Sequence, residues 1–427
     1  WLGSQLTNLH GGAQQETAVA LLADWQNIRR AWFHACANKQ IGRLAVAAEP
    51  FNHFCLWRGN HLEAIEALQA ASAALLGVET VAAQRLRALL LTWLALHHYE
   101  IGRQDEHREL LVEAEAILQQ PTLTAAETRF EWAFLRREQA KQWRKSDLAR
   151  AEAAYQESIQ LFHELGETWQ ESISLAWLGD VVGRQHDWPR LTQITQQMLG
   201  LQEQLGDRRG MSFSLMRLAQ QAVRQLKVKK AEDLIRRALK MSQELAETEL
   251  VAQTLHALGI ILLRDGRFTA GEAALKESQA LVADVSGDHV LMKDNLHMLG
   301  FAALWQQDFG RAEQIFQRAL AVGEQAQVAT TTADSLGFLG WSNLLAGKLD
   351  QAIEYMMKAA AGGDKTRQRN RRRWANPLGL AYLHQGDYTQ AADWAAVAPT
   401  RIDAGPLQLG LLALDERPSS DQHAALQ

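Results

Sequence analysis

Apolar residues recur at i, i+3 and i+4 along nearly the whole chain, the spacing of a helical stripe and not the alternation of a strand. The stripe is also periodic over a longer distance. Small residues fall at Gly179, Ala219, Gly259, Gly300, Gly340 and Gly379, in steps of 40, 40, 41, 40 and 39. One place earlier run Leu178, Leu218, Leu258, Leu299, Leu339 and Leu378, and three places before those Leu175, Leu215, Leu255, Leu296 and Leu336. Two further small series keep the same steps: Ala231, Gly271, Ala312, Ala352, Ala391, and Ala238, Ser278, Ala319, Ala359, Ala398. Five series holding register through an inserted and a deleted residue define a repeat. Each unit reads as two helices around a turn, with Gly266, Gly347 and Gly386 placed to supply the positive φ that ends a helix. Such a unit cannot bury its stripe alone, so the expected fold is all-α, a right-handed α-solenoid superhelix in which neighbours share one core.

With more drift the pattern runs upstream through Gln139, Ala151 and Ser158, then Ala95, His107 and Ala114, then Asn52, Ala64 and Ala71. The expectation is about nine hairpins over 44–399, a capping segment 1–43, and a tail 400–427. The cap is read as one amphipathic helix with the stripe Leu21, Trp25, Ile28, Trp32, Ala35. The stretch from Arg136 to Lys145, including Gln139, departs from the pattern: polar side chains stand where apolar ones are expected.

Composition narrows the class. The chain has 427 residues, 47% hydrophobic and 22% charged, with a net charge of −5, which calls for neither nucleic acid nor an anionic membrane. Seven prolines in so long a chain favour helices throughout. The longest apolar stretch, residues 88–96 around Trp93, is far below the roughly 18–20 residues of a membrane span. Two cysteines, Cys36 and Cys55, make neither a disulfide framework nor a four-ligand zinc site, and a reduced, cytoplasmic setting follows as the default. Residue 1 is Trp, and the expectation is a piece of a longer protein.

The units Leu339-Gly340 to Ala352 and Leu378-Gly379 to Ala391 read L-G-x6-G-x-[FLY]-x-x-A, which resembles the tetratricopeptide repeat (TPR). The step near 40 exceeds the usual 34 by about three residues per helix. A narrower resemblance lies in Ala23 to Trp32, in Phe54 to Ala70 with Arg58-Gly59-Asn60 and Glu63, and in the helix ends Leu161–Glu167 and Gln204–Gly210. These are similar to the repeat region of bacterial STAND signal-transduction ATPases and LuxR-type regulators. That resemblance implies a sensor domain that holds an upstream nucleotide-binding module inactive until an inducer (a protein, peptide or small molecule) binds. A stand-alone TPR adaptor or quorum-type peptide receptor is the alternative.

No P-loop, H-E-x-x-H, G-x-S-x-G, C-x-x-C or dinucleotide glycine motif is present, so no catalytic, cofactor or metal site is expected and the chain is read as a non-enzyme. His97 and His98 are adjacent and do not face each other on a helix, and both read as ordinary surface or packing residues. In TPR-like arrays one side of each first helix lines the concave groove. By that resemblance the groove carries Arg136, Arg137, Trp143, Arg144, Trp177, Asp180, Arg184, Arg217, Arg224, His256, Arg264, His297, Phe301, Trp305 and Trp341. Arg144, Arg184, Arg224 and Arg264 recur at 40-residue steps, continued by Trp305. Arginines beside aromatics suit an anionic or carboxylate-bearing partner, although TPR units also carry such a residue for solvation. The basic run Lys365 to Trp374 reads as a solvated connector or a contact to a partner domain, and less readily as a nucleic-acid patch.

Overall fold

The computed structural model describes residues 1–124, 128–284, 289–325, 329–361 and 367–397. Every regular element among them is a helix. The chain divides into two compact units, Trp1–Leu245 and Ala246–Gln427. In the first, a short turn Leu2–Gln5 and the helices Leu6–His10, Gln14–Ala23 and Trp25–Ala37 precede five hairpins. These are Ile41–Arg58 with His61–Ala74, Val81–Glu100 with Gln104–Leu118, Arg129–Trp143 with Leu148–Leu165, Thr168–Arg184 with Trp188–Leu205, and Arg208–Arg224 with Val228–Glu244. The second unit holds four: Thr248–Arg264 with Phe268–Asp284, His289–Trp305 with Phe309–Gln325, Ala329–Leu345 with Leu349–Ala361, and Arg367–Gln385 with Tyr388–Val397. The nine hairpins among the described residues make an all-α solenoid. The proposed tail 400–427, Ala398, Lys365 and Thr366 lie outside the described residues.

The periodic residues are the packing elements. Leu178, Leu218, Leu258, Leu299, Leu339 and Leu378 are buried, as are Ala231, Ala312, Ala352 and Ala391. The glycines mark where the two helices of a hairpin touch. A Cβ on Gly259 would stand 2.7 Å from Leu275 Cγ, one on Gly300 would stand 2.5 Å from the Phe316 ring, and one on Gly340 would press on Met356. In each case the colliding side chain lies 16 residues onward, in the second helix. The large residue there and the missing Cβ opposite are one packing unit, which is why the series repeats.

The turns follow the same economy. Gly266, Gly347 and Gly386 take φ of 77, 76 and 87° as expected. Equivalent turns elsewhere use His186, Leu226 and Gln307 at φ of 62, 58 and 61°, where a side chain is strained.

At the N-terminus the expected single amphipathic helix is two. The break falls at Asp24 (φ −103°, ψ 9°), whose carboxylate accepts from the Asn27 side chain at 2.6 Å. A short acceptor that bonds the next turn competes with helix continuation. The stripe itself is buried as a set. Trp25 donates its indole N–H to Glu63 Oε2 and Trp32 donates to the Ala67 carbonyl, each at 2.9 Å, which ties this segment to His61–Ala74.

Candidate ligand-binding surface

The recurring arginines occupy one structural place: Arg184, Arg224 and Arg264 each end a first helix, and Arg144 is the C-cap residue of another. A cation there complements the helix dipole. The structure does not treat the four alike. In the first unit, Arg144 and Arg184 share one carboxylate oxygen, Asp180 Oδ2, at 3.1 and 3.0 Å. Arg144 also donates to the Tyr99 hydroxyl at 2.8 Å, and its guanidinium lies 4.9 Å from the Trp177 ring centre. Arg217 completes the group. It donates to the Ala176 carbonyl at 3.3 Å, lies against Gly179, and is drawn electrostatically to Asp180. Burial lowers its pKa, and Asp180 opposes that shift. Two guanidiniums therefore converge on one carboxylate beside an indole, with a third within its electrostatic reach, leaving an excess of positive charge on a half-buried wall.

Arg224 stands apart from this cluster, with its guanidinium 4.3 Å from the Trp188 ring. Arg136 pairs with Glu115 and Glu157 and lies over Trp132, and Trp143 is covered by Arg150 at 3.9 Å. In the second unit Arg264 is exposed. His256 bonds to Asn295 at 2.9 Å. His297 is buried and bonds to Ser335 at 2.8 Å, and burial pulls its pKa down to about 3. Phe301 stacks on Trp305 and packs edge-on against Phe316 and Phe338, while Trp341 is partly buried in the same core. Of these, Trp305 is the large apolar side chain left open, about half exposed. Arg373, from the basic run, pairs with Asp334 at 2.8 Å, and Arg371 lies over Trp394.

The polar stretch that broke the sequence pattern is a buried network. Arg137 Nε meets Glu138 at 3.2 Å, Lys141 meets the same carboxylate at 2.7 Å, and Arg137 Nη1 donates to Gln170 at 2.7 Å. Gln170 in turn donates to Glu49 at 2.5 Å, a link between residues 121 apart in sequence. Burial pushes the Glu138 carboxyl up, but Lys141 and Arg137 outweigh it and hold the pKa below the usual range. Lys141 sits between the Tyr99 and Trp177 rings at 5.1 and 4.7 Å, so this network forms the floor of the arginine cluster. Tyr99 obeys the same groove spacing one hairpin upstream and was findable by it. Lys141 lies off that face, and its role comes from the wall closing over it. His97 and His98 are packed, His97 bonding to Asn52 at 2.9 Å. Cys36 and Cys55 are buried free thiols, and burial raises the pKa of Cys36 to about 11.

This architecture is that of a repeat scaffold, and comparison identifies the repeat. Residues 291–363 match the family model described as tetratricopeptide repeat. Among curated proteins no sequence matches this chain. Among solved structures the chain is similar to the apo form of RapI (TM-score 0.59, 12% identity), over 87% of this chain and 95% of that one. It is similar to a Rap protein complexed with competence and sporulation factor (TM-score 0.53, 11% identity), over 79% and 94%. It is also similar to a STAND protein with a tetratricopeptide repeat sensor from Pyrococcus horikoshii (TM-score 0.50, 12% identity), over 70% of this chain and 52% of that one. The chain thus spans about half the length of that STAND protein. At these identities the likeness is one of fold: the chain has a TPR-like α-solenoid fold, with the tetratricopeptide-repeat match confined to residues 291–363. No described helix is long and apolar enough to cross a membrane.

Proposed function

We propose that this TPR domain is a regulatory sensor in the cytoplasm that binds a protein, peptide or small anionic inducer and controls an upstream nucleotide-binding module of a STAND-type protein. The observation that carries the reading is the arrangement at Asp180, where Arg144 and Arg184 share a single carboxylate oxygen, Arg144 lies over Trp177, and Arg217 feels the Asp180 charge. A guest carboxylate or phosphate takes the place of part of that pairing, gaining bidentate contacts from planar guanidiniums and contact area from the indole. The domain supplies binding and no catalysis. To act as a switch, the inducer must favour one arrangement of the protein by about 5.5 kcal/mol to carry a population from 1:99 to 99:1.

The second reading, a stand-alone peptide receptor or adaptor, is supported by one observation: the fold is similar to RapI and to a Rap protein complexed with competence and sporulation factor. Either reading uses the same surface. Native mass spectrometry of the protein from cells, followed by titration of the released ligand, tests it. Arg184→Glu is expected to weaken binding at least about ten-fold with helical content unchanged. Arg224→Glu, a matched charge change on the Trp188 ring, is expected to leave affinity within about two-fold. Equal loss from both variants refutes the assignment to Asp180. Nucleotide hydrolysis by the longer protein, measured with and without that ligand, separates the sensor from the receptor.

A further inference from the structure

Away from the arginine cluster, one set of three metal-ligating side chains lies in mutual reach among the described residues: His10, Glu49 and His53. Glu49 and His53 are one turn apart on Ile41–Arg58 and share a face. His10 comes from the short helix Leu6–His10, 43 residues away in sequence. His10 Nε2 stands 2.7 Å from His53 Nδ1, and His53 Nε2 stands 3.9 Å from Glu49 Oε1. One donor atom from each residue lies within 4.8 Å of the others. The sequence could not announce this set, because its members share no motif.

Two observations mark it as more than a packed polar trio. His53 is only 7% exposed, yet its Nε2 is buried without a hydrogen-bond partner. An orphaned interior nitrogen is costly unless something binds it. The other donors are also held in place from outside. The His10 ring stacks on Trp169 at 4.0 Å and 1° from coplanar, Trp169 also touches the His53 ring, and Gln170 donates to Glu49. Outer partners of this kind orient ligands at metal centres.

We propose that His10, Glu49 and His53 bind one divalent ion of the zinc class, and that the ion pins the N-terminal helix to the first hairpin. Two imidazoles and one carboxylate suit zinc, and they supply too few oxygens for calcium or magnesium. Ligand atoms on tetrahedral zinc stand about 3.3 Å apart, so donors now within 4.8 Å of one another close the set by shifts of up to about 1.5 Å, with water in the fourth position. Binding replaces the His10–His53 hydrogen bond. Arg137 is the cation nearby: it pairs with Glu138 at 3.2 Å and also acts electrostatically on Glu49, so the ion competes with it for that carboxylate.

The experiment titrates the whole chain with zinc chloride by calorimetry and with cobalt chloride by visible absorption. One zinc per chain and the intense bands of tetrahedral cobalt are expected. His10→Ala, on a short terminal helix outside the hairpins, is expected to lose affinity by on the order of 100-fold. His34→Ala, an exposed histidine on Trp25–Ala37, retains it. Zinc is also expected to slow amide exchange over residues 6–14. Absence of 1:1 binding, or undiminished affinity in folded His10→Ala, overturns the site. Binding without slower exchange at residues 6–14 overturns the pinning.

Discussion

At the residue scale the least expected feature is charge in the interior. Arg137, Glu138 and Lys141 are buried together, and two cations share the Glu138 carboxylate, with Glu100 4.0 Å from Lys141. Removing one member of a buried pair leaves an uncompensated charge, which costs about 3–5 kcal/mol. Glu138→Ala is therefore expected to lower the unfolding free energy by about that amount, measured by urea denaturation. A variant as stable as the parent would show that the network contributes nothing. These residues were legible only as an anomaly. A charged residue on a helix is usually solvated, and nothing in the spacing of Arg137 reveals that Gln170 will meet it from a hairpin further on. By contrast Gly259, Gly300 and Gly340 could be read outright, because a repeated close approach leaves a repeated small residue.

At the element scale, the hairpin turns obey one geometry with two chemistries. Gly266 and Leu226 stand one repeat apart, both at positive φ, and Leu226 is 87% exposed, so its side chain packs on nothing. Left-handed backbone costs a branched side chain roughly 1–2 kcal/mol, partly offset by the greater chain entropy of unfolded glycine. Leu226→Gly is expected to stabilise the protein by about 0.5–1 kcal/mol, seen as a higher denaturation midpoint. The helix boundaries followed from such turns and from the stripe. The break at Asp24 did not, because the apolar pattern continues straight through it. The arginine row was equally plain in the sequence, but its division was not: Arg144 and Arg184 meet at Asp180, while Arg224 turns to Trp188. Side-chain direction depends on neighbours that a period does not encode.

At the scale of the whole molecule, repeat stacking makes stability a sum of local and nearest-neighbour terms. A buried charge in one hairpin should therefore damage mainly its surroundings. Leu258→Asp is expected to speed amide exchange through Thr248–Arg264, Phe268–Asp284 and the adjoining helices, while Val81–Glu100 keeps its protection. Uniform loss across the chain would mean that the hairpins melt as one body.

The first unit departs from that nearest-neighbour rule where Gln170 and Trp169 meet Glu49 and His10, and again at Gln14. Gln14 donates to Asp207 at 3.0 Å, and Asp207 is also the residue whose carboxylate caps Arg208–Arg224 through the Gly210 amide at 2.8 Å. Gly11 and Gly12 lie along the backbone of Leu205 and Gly206 beside it. Stacked helical pairs behave as springs, stretching by small rotations at each joint. Here the opening residues act as a tie-rod across four coils, alongside the links from Gln170 and Trp169, so pulling on this part of the molecule strains these bridges before the coils lengthen. Clipping the chain beside Gln14 with a protease would remove the longest of these ties, and so loosen the strut, without removing a single hairpin.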